Sequence, residues 1–345
     1  MKRNAQLALQ RGALLKARHM AVINAVAMMS LAPSSAELGK HGHIVEINAD
    51  LLTEGTYREA LTTYAVGFRQ GNYLADLEAL APGVQVARRF DYKAFSNPEA
   101  FYSELTDDLR STGADFKSVE YTSEEVTDKT VNRGLMVSVD VDQVKDNPNW
   151  EQQYTGMLTT RLILNKLRRA INLLSAGATN DAKTWDATAG KDPDMDVITA
   201  IQTAHTAAGV RPNRVAYGPT AWSKRTLSHR AQDSAGGFAS AAMTEQALAG
   251  LFAVEQVLRC EARYSTSASA KAEVLSNLVL LYNALSGATV EDSSNIKGFW
   301  SPCDNGQQLM VHRWDMGPKK MCLAVEHYEL TKLTSTLGLR KVTVS

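Results

Sequence analysis

A chain of 345 residues, 44% hydrophobic and 21% charged, is long enough to bury a substantial core in one elaborated domain or two interleaved ones. Its 37 Lys and Arg residues balance 37 Asp and Glu residues, which excludes a molecule drawn as a whole onto nucleic acid or an anionic membrane by its net field. Three widely spaced cysteines, Cys260, Cys303 and Cys322, fit neither a disulfide framework nor a CxxC zinc site and read as reduced thiols.

The first fifty residues are rich in Ala, Leu and Arg and read as a helix followed by an extended arm. Lys2, Arg3, Arg11, Lys16 and Arg18 precede an apolar stretch, Ala21 to Leu31, in the outline of a secretory signal. The long basic region and the interrupting Asn24 argue against that reading. No other stretch approaches the ~20 apolar residues of a membrane span. From Leu51 to Leu80 the helical spacing of Leu61, Tyr64, Ala65 and Phe68 predicts a helix, broken by Ala81-Pro82-Gly83. A strand is expected from Val84 to Phe95.

Asn97-Pro98 opens a predicted polar helix carrying Glu99, Glu104, Asp107, Asp108 and Arg110. Ser118 to Asp142 then alternates through Val119, Tyr121, Val126, Leu135, Val137, Val139 and Val141, which predicts long strands paired with the earlier one. These segments are polar on both faces. They read as an extended hairpin with an insertion, which finds its burial on a neighbouring subunit.

Asp146 to Ser175 carries the strongest helical pattern. Asn147-Pro148 starts it, Met157, Leu158, Leu162, Leu164, Leu167, Ile171 and Leu174 recur every three to four residues, and Gly177 ends it. Such a helix would run ~45 Å. Arg161, Lys166, Arg168 and Arg169 form basic faces on it, read here as solvated, with a DNA-facing stripe as the alternative.

Beyond Asp192 helices and strands alternate. Helices are expected at Asp196 to Ala208, Pro219 to His229 and Thr244 to Phe252, and strands at Arg214 to Gly218 and Val257 to Tyr264. This is an α/β unit with its own core. A closing set of strands covers Val274 to Leu285, Leu309 to Trp314, Met321 to Leu330 and Leu337 to Val344, and Ser265 to Ala272 reads as a flexible loop.

The motifs of catalysis do not occur: no GxxxxGK[ST] loop, no GxGxxG after a strand, no HExxH and no GxSxG elbow. Gly190-Lys191 lacks the rest of a phosphate loop. His41 and His43 have no nearby Cys or further His to complete a ligand set, and read as solvated or subunit-contact residues. Asp192, Asp194 and Asp196 alternate as calcium ligands can, but lack the glycine and terminal Glu of an EF-hand loop. A helix N-cap at Asp194 or Asp196 explains the cluster. Cys303 near Asp304, and His312 near Asp315, read as packing residues. The sequence therefore assigns no catalytic, cofactor-binding or metal-binding residue and no cofactor.

The stretch Gly209 to His229, GVRPNRVAYGPTAWSKRTLSH, is the most specific part of the chain. It resembles the "GxxPNxxxxGxxAWxxLxxH" segment of tailed-bacteriophage major capsid proteins. A Trp185…Asp192-Pro193…Asp196 run precedes it, and Leu248 to Arg259, LAGLFAVEQVLR, follows it and resembles "LAxLFxVxxVxV" of the same family. Upstream, Tyr64-Ala65-Val66-Gly67, Tyr73-Leu74-Ala75-Asp76 and Ala81-Pro82 resemble the family's approach to its extended loop. The likeness runs from about Leu61 to Arg263 with the segments in the same order. Arg225 and Thr226 depart from it where the family usually has leucine, and Leu80-Ala81-Pro82 replaces a more common Phe-Pro.

The resemblance implies an α+β chain of the Hong Kong ninety-seven-type capsid fold. Its parts would be an N-terminal arm (1–50), a helical lead-in (51–83), an extended β-hairpin loop (84–142), a peripheral domain with a long spine helix (143–190 and 301–345) and an axial α/β domain (191–300). It implies a structural subunit, not an enzyme, assembling with many copies of itself in hexamers and pentamers of a virion shell. Scaffold, portal and decoration proteins are further partners such a subunit can have, and double-stranded DNA would be held by weak, non-specific contact, without a membrane. A nanocompartment shell of the encapsulin kind, enclosing enzyme cargo, is the alternative; an α/β enzyme is the reading from another class. Gly134, Gly177 and Gly190 are the expected hinges between subunit conformations. We place no Lys–Asn crosslink of the kind some capsids of this fold form.

Overall fold

One apolar stripe organises the chain: Leu158, Leu162, Leu167, Ala170, Ile171 and Leu174 all lie buried along the helix Trp150–Gly177, 28 residues long. At ~1.5 Å per residue it runs about 42 Å, longer than one small core can cover. The computed structural model describes residues 57–68, 73–98, 102, 109–110, 112–116, 123–267 and 269–345. The arm expected over 1–50, with His41 and His43, lies outside the described residues, as does most of the polar helix expected after Pro98.

In chain order the structure has α1 (Glu59–Gly67), α2 (Tyr73–Leu80), β1 (Gly83–Gln85), β2 (Arg89–Ala94), β3 (Glu124–Lys129), β4 (Val131–Asp140), α3 (Val141–Val144) and the long helix, α4 (Trp150–Gly177). Then come β5 (Thr179–Lys183), α5 (Pro193–Ala208), β6 (Arg214–Tyr217), α6 (Pro219–Arg230), α7 (Ala235–Ala241), α8 (Glu245–Phe252) and β7 (Gln256–Arg259). The chain closes with β8 (Arg263–Ser265), β9 (Lys271–Glu273), β10 (Leu278–Tyr282), β11 (Ile296–Ser301), β12 (Met310–Asp315), β13 (Lys320–Leu333) and β14 (Arg340–Val344).

Two five-stranded sheets carry the fold. In the first, β13 is the centre: β4 pairs antiparallel along Lys320 to Glu329 on one edge, while β12 and β11 follow each other along the opposite edge. β1 lies parallel to β11 on the outside. The second sheet runs β5-β14-β10-β6-β7. Its two faces show the alternation that period-two side chains impose. Val279 and Leu281 of β10 with Val215 and Tyr217 of β6 face α5, α6 and α8, whereas Leu280, Tyr282 and Ala216 face α2 and the C-terminal half of α4. The N-terminal half of α4 instead packs Leu158 and Leu162 with α1 against Val311, Leu323 and Val325 of the first sheet. A single helix thus joins both cores.

Several expectations change at this level. The predicted helix of Leu51 to Leu80 is two helices, and Phe68 after the first is already extended. The predicted strand of Val84 to Phe95 divides between β1, in the first sheet, and β2, which pairs with β3 in a separate two-stranded sheet. β4 does not continue that hairpin. It changes partner at Thr130 and joins β13, because its apolar side chains Leu135, Val137 and Val139 reach the cores beside α4. The base of the hairpin is also supported within the chain: the Phe90 and Phe299 rings stand 4.6 Å apart and those of Tyr92 and Phe299 5.2 Å. Strand pairing departs from the expected domain boundaries too, since β14 and β5 belong to the second sheet and β11 to the first. β5, β11 and α7 are elements that the pattern reading did not contain. Met157, expected in the α4 stripe, is 51% exposed.

Gly177 lets the end of α4 lie on Leu333, where an added Cβ would stand 2.4 Å from the leucine Cδ2. Gly134 sits within the ten-residue β4–β13 pairing. Both are close-packing positions in this structure. Gly218, between β6 and α6, is tighter still: a Cβ there would lie 1.9 Å from the Ser276 carbonyl oxygen. Gly218→Ala is expected to cost about 3 kcal/mol or more in urea unfolding, as backbone overpacking does. Gly250→Ala, into open space within α8, should gain about 0.5–1 kcal/mol.

Candidate functional site

The three alternating aspartates diverge. Asp192 is the N-cap of α5, its Oδ1 accepting from the Asp194 and Met195 amides at 3.1 Å each; the cap therefore lies two residues before Asp194 and four before Asp196, the positions expected for it. Asp196 accepts from the Trp185 indole at 2.9 Å and pairs with Lys183 at 2.9 Å. Asp194 turns inward to Arg225, which is fully buried and grips it in a bidentate pair, Nε–Oδ1 2.6 Å and Nη2–Oδ2 2.8 Å. His229 Nε2 lies 3.1 Å from the same carboxylate, and Arg225 also donates to the Ser240 carbonyl. Burial alone would raise the Asp194 carboxyl, but His229 and Arg225 outweigh it and hold the pKa below its ordinary value. Among these carboxylates, each serves a different partner, and no shared cation seat forms.

The basic residues of α4 divide as well. Arg161 is exposed and Arg168 stacks on the Tyr264 ring at 3.7 Å, but Lys166 and Arg169 point into the protein. The expectation of a solvated face, or of a DNA-facing stripe, fails for these two because a carboxylate waits beneath them. Glu329 of β13, 1% exposed, pairs with Arg169, meets Arg133 of β4 at 3.0 Å and accepts from Thr331. Burial would raise Glu329, yet Lys166, Arg169, His327 and Arg133 keep it below the usual carboxylate range. Lys166 is itself lowered by burial, and burial beside Lys166 brings His327 down to about 4. This cluster sits where α4 passes from one sheet to the other.

The remaining candidates are structural. Cys303 is buried and its thiol is pushed up to about 12 by burial first and by Glu326, whereas Asp304 is exposed and pairs with Arg88. His312 faces Glu326 at 3.2 Å across β12 and β13, not Asp315. Gly190 takes a positive φ of 86° before Lys191, whose carbonyl accepts from Gln232. Among the described residues no group of His, Cys, Asp and Glu could hold a metal ion, and no helix is long and apolar enough to cross a membrane.

Among the described residues several large apolar side chains stay exposed, Val131, Met157, Leu285 and Met316 singly and others in two segments. Beyond the β2–β3 hairpin Phe116 is 82% and Leu109 68% exposed. On the helices over the second sheet, Met195, Leu227, Phe238 and Leu251 are exposed.

No protein-family model and no curated protein matches the chain. Solved structures do. A phage-related protein of Bordetella bronchiseptica superposes with a TM-score of 0.63 at 20% identity, over 84% of this chain and 97% of its own. The capsid structure of the cyanophage P-SCSP1u superposes with a TM-score of 0.50 at 12% identity, over 91% of this chain and 99% of its own. The chain has their fold, the Hong Kong ninety-seven-type capsid fold that the Gly209 to His229 resemblance implied.

Two outcomes follow from the buried charges. Arg225→Leu leaves Asp194 buried without its partner and should cost about 3–5 kcal/mol, most of it recovered in the Asp194→Leu, Arg225→Leu double variant when both are unfolded in urea. Asp76 is raised to about 6 by burial and by Glu261. Its folded pKa lies above the unfolded value, so its contribution is full below about pH 4 and is lost as the pH rises through about 6. Thermal melts of Asp76→Asn should exceed wild type at pH 7.5 and converge with it near pH 4.

Proposed function

We propose that this chain is the major capsid protein of a tailed phage, a structural subunit that self-assembles into an icosahedral shell enclosing double-stranded DNA. The observation that carries the reading is the fold itself, shared over most of the chain with a phage capsid structure and coinciding with the family-like segment Gly209 to His229. On this reading the expected parts take roles: residues 1–50 as the arm, the hairpin within 84–142 as the extended loop, α4 as the spine, and the unit over the second sheet as the axial domain.

The physics of the surface supports it. Leu109 and Phe116, in the segment between β2 and β3, are 68% and 82% exposed, apolar surface that a neighbouring subunit would cover. Interfaces of ~2,000 Å² or more are typical of such obligate contacts. Zero net charge lets many copies pack without mutual repulsion. Catalysis has no part in this reading, and the polar residues with catalytic or metal-binding appearance are engaged in caps and ion pairs. The chain's place is then the virion, with scaffold, portal and decoration proteins as its assembly partners.

The full chain, expressed alone and fractionated by size, should give shells, tubes or capsomer rings in negative-stain electron microscopy. Leu109→Asp with Phe116→Asp should reduce the assembled fraction several-fold while far-ultraviolet circular dichroism stays unchanged, since surface substitutions cost within about 0.5 kcal/mol of subunit stability. A monodisperse monomer or dimer that persists at high concentration counts against the proposal.

A further inference from the structure

Beside the Glu329 cluster lies a cavity of 180 Å³ between α1, α2, α4 and the first sheet. One end is polar, with Lys166, His327 and Glu329; the walls are apolar, with Leu77, Leu162, Ile163 and Leu309 among them. The polar end is built and underused. Lys166 is 8% exposed; among the described residues Glu329 and Glu78 attract its charge through space, and neither forms an ion pair with it. His327 is 6% exposed and its Nε2 has no hydrogen-bond partner. Glu329 attracts Lys166 through space, while its direct contacts go to Arg169 and Arg133 at Oε1 and Thr331 at Oε2.

Charge decides the sign of an occupant. Arg133, Lys166 and Arg169 face the carboxylates of Glu329 and the exposed Glu78, which leaves one positive charge without a counter-charge. A buried ammonium is costly unless paired, and burial lowers Lys166. Gly298 of β11 keeps space open beneath the amine: a Cβ there would come within 3.3 Å of Nζ. The cavity also has a size. At ~10–15 Å³ of this measure per water, it has room for on the order of ten water-sized centres, comparable to the heavy atoms of a medium-chain fatty acid.

The geometry points to a binding site for an amphipathic monocarboxylate, its head on Lys166 Nζ and His327 Nε2 and its alkyl chain along Leu77, Leu162, Ile163 and Leu309. The neutral imidazole donates to the head in its Nε2–H tautomer, and the single negative charge balances the surplus. The site is internal to one chain and does not depend on the shell reading.

The probe is sodium octanoate, titrated calorimetrically into the full chain in whatever assembly state it purifies, with octanol and inorganic phosphate in parallel. Octanoate should bind saturably at one per chain, and octanol about tenfold or more weaker, as loss of a charged hydrogen bond implies. Phosphate should give no saturable heat, and Lys166→Met should abolish the preference for octanoate over octanol. Carboxyl-carbon-labelled octanoate, followed by nuclear magnetic resonance on the unmodified chain, should show a bound carboxylate ionised to lower pH than the free acid; this arm decides if Lys166→Met does not fold. Absence of saturable octanoate binding, equal binding of octanol, a preference that survives Lys166→Met, or phosphate binding as tight as octanoate would each overturn the assignment.

Discussion

Everything in this fold leans on the double duty of α4. Its apolar stripe is continuous, but the surface that covers it changes halfway: Leu158 and Leu162 belong to the core of the first sheet, Leu167 to Leu174 to that of the second. Two sheets with different strand orders are thereby held on one rigid rod of 28 residues. Smaller contacts reinforce the join on the second side. Arg214 and Tyr282, from β6 and β10, both donate to the Ala79 carbonyl at the end of α2.

Where the helix passes from one core to the other, polar side chains collect against β11 and β13 of the first sheet. Lys166 and Arg169 fall there, and Glu329 of β13 meets them from below. The depressed carboxylates Glu329 and Asp194 share one consequence. Their folded pKa values lie below the unfolded ones, so their contribution to stability is present above the ordinary carboxylate range and disappears as pH falls through the folded values. Asp76 acts in the opposite direction, which places its effect in a separate pH window. The departure from the family pattern at Arg225 also acquires a reason. An arginine at a buried helix position is tolerable because Asp194, on α5, supplies a matched carboxylate.

A shell subunit divides its burial between itself and its neighbours. Here the core of each sheet is complete within the chain, while the β2–β3 hairpin is held at Phe90, Tyr92 and Phe299, by Phe95 on Ala208 and Leu337, and by the Asp128–Lys332 ion pair. On the reading proposed above, the body would fold on its own contacts and the arm and loop would gain burial from neighbouring subunits. That division suits a protein that must stay folded before it assembles.

By itself the sequence determined the elements that declare themselves through local period: the long helix, the alternation of α5, β6, α6, α8 and β7, and the strands β10, β12, β13 and β14. The Gly209 to His229 segment added the fold by resemblance, since its turn and cap residues stand at fixed spacings. The tertiary structure alone decided the rest, because it depends on partners far along the chain. β5 is polar, TNDAK, and is a strand only because β14 pairs with its backbone. β11 hides Lys297 and Gly298 within its run, and its lysine is buried on Asp292. β4 left the hairpin for β13, and Lys166 and Arg169 turned inward, because Glu329 lies 160 residues away from Arg169 in sequence and beside it in space. Period reports which face of an element is apolar; it carries no information about which distant strand or carboxylate will meet the other groups.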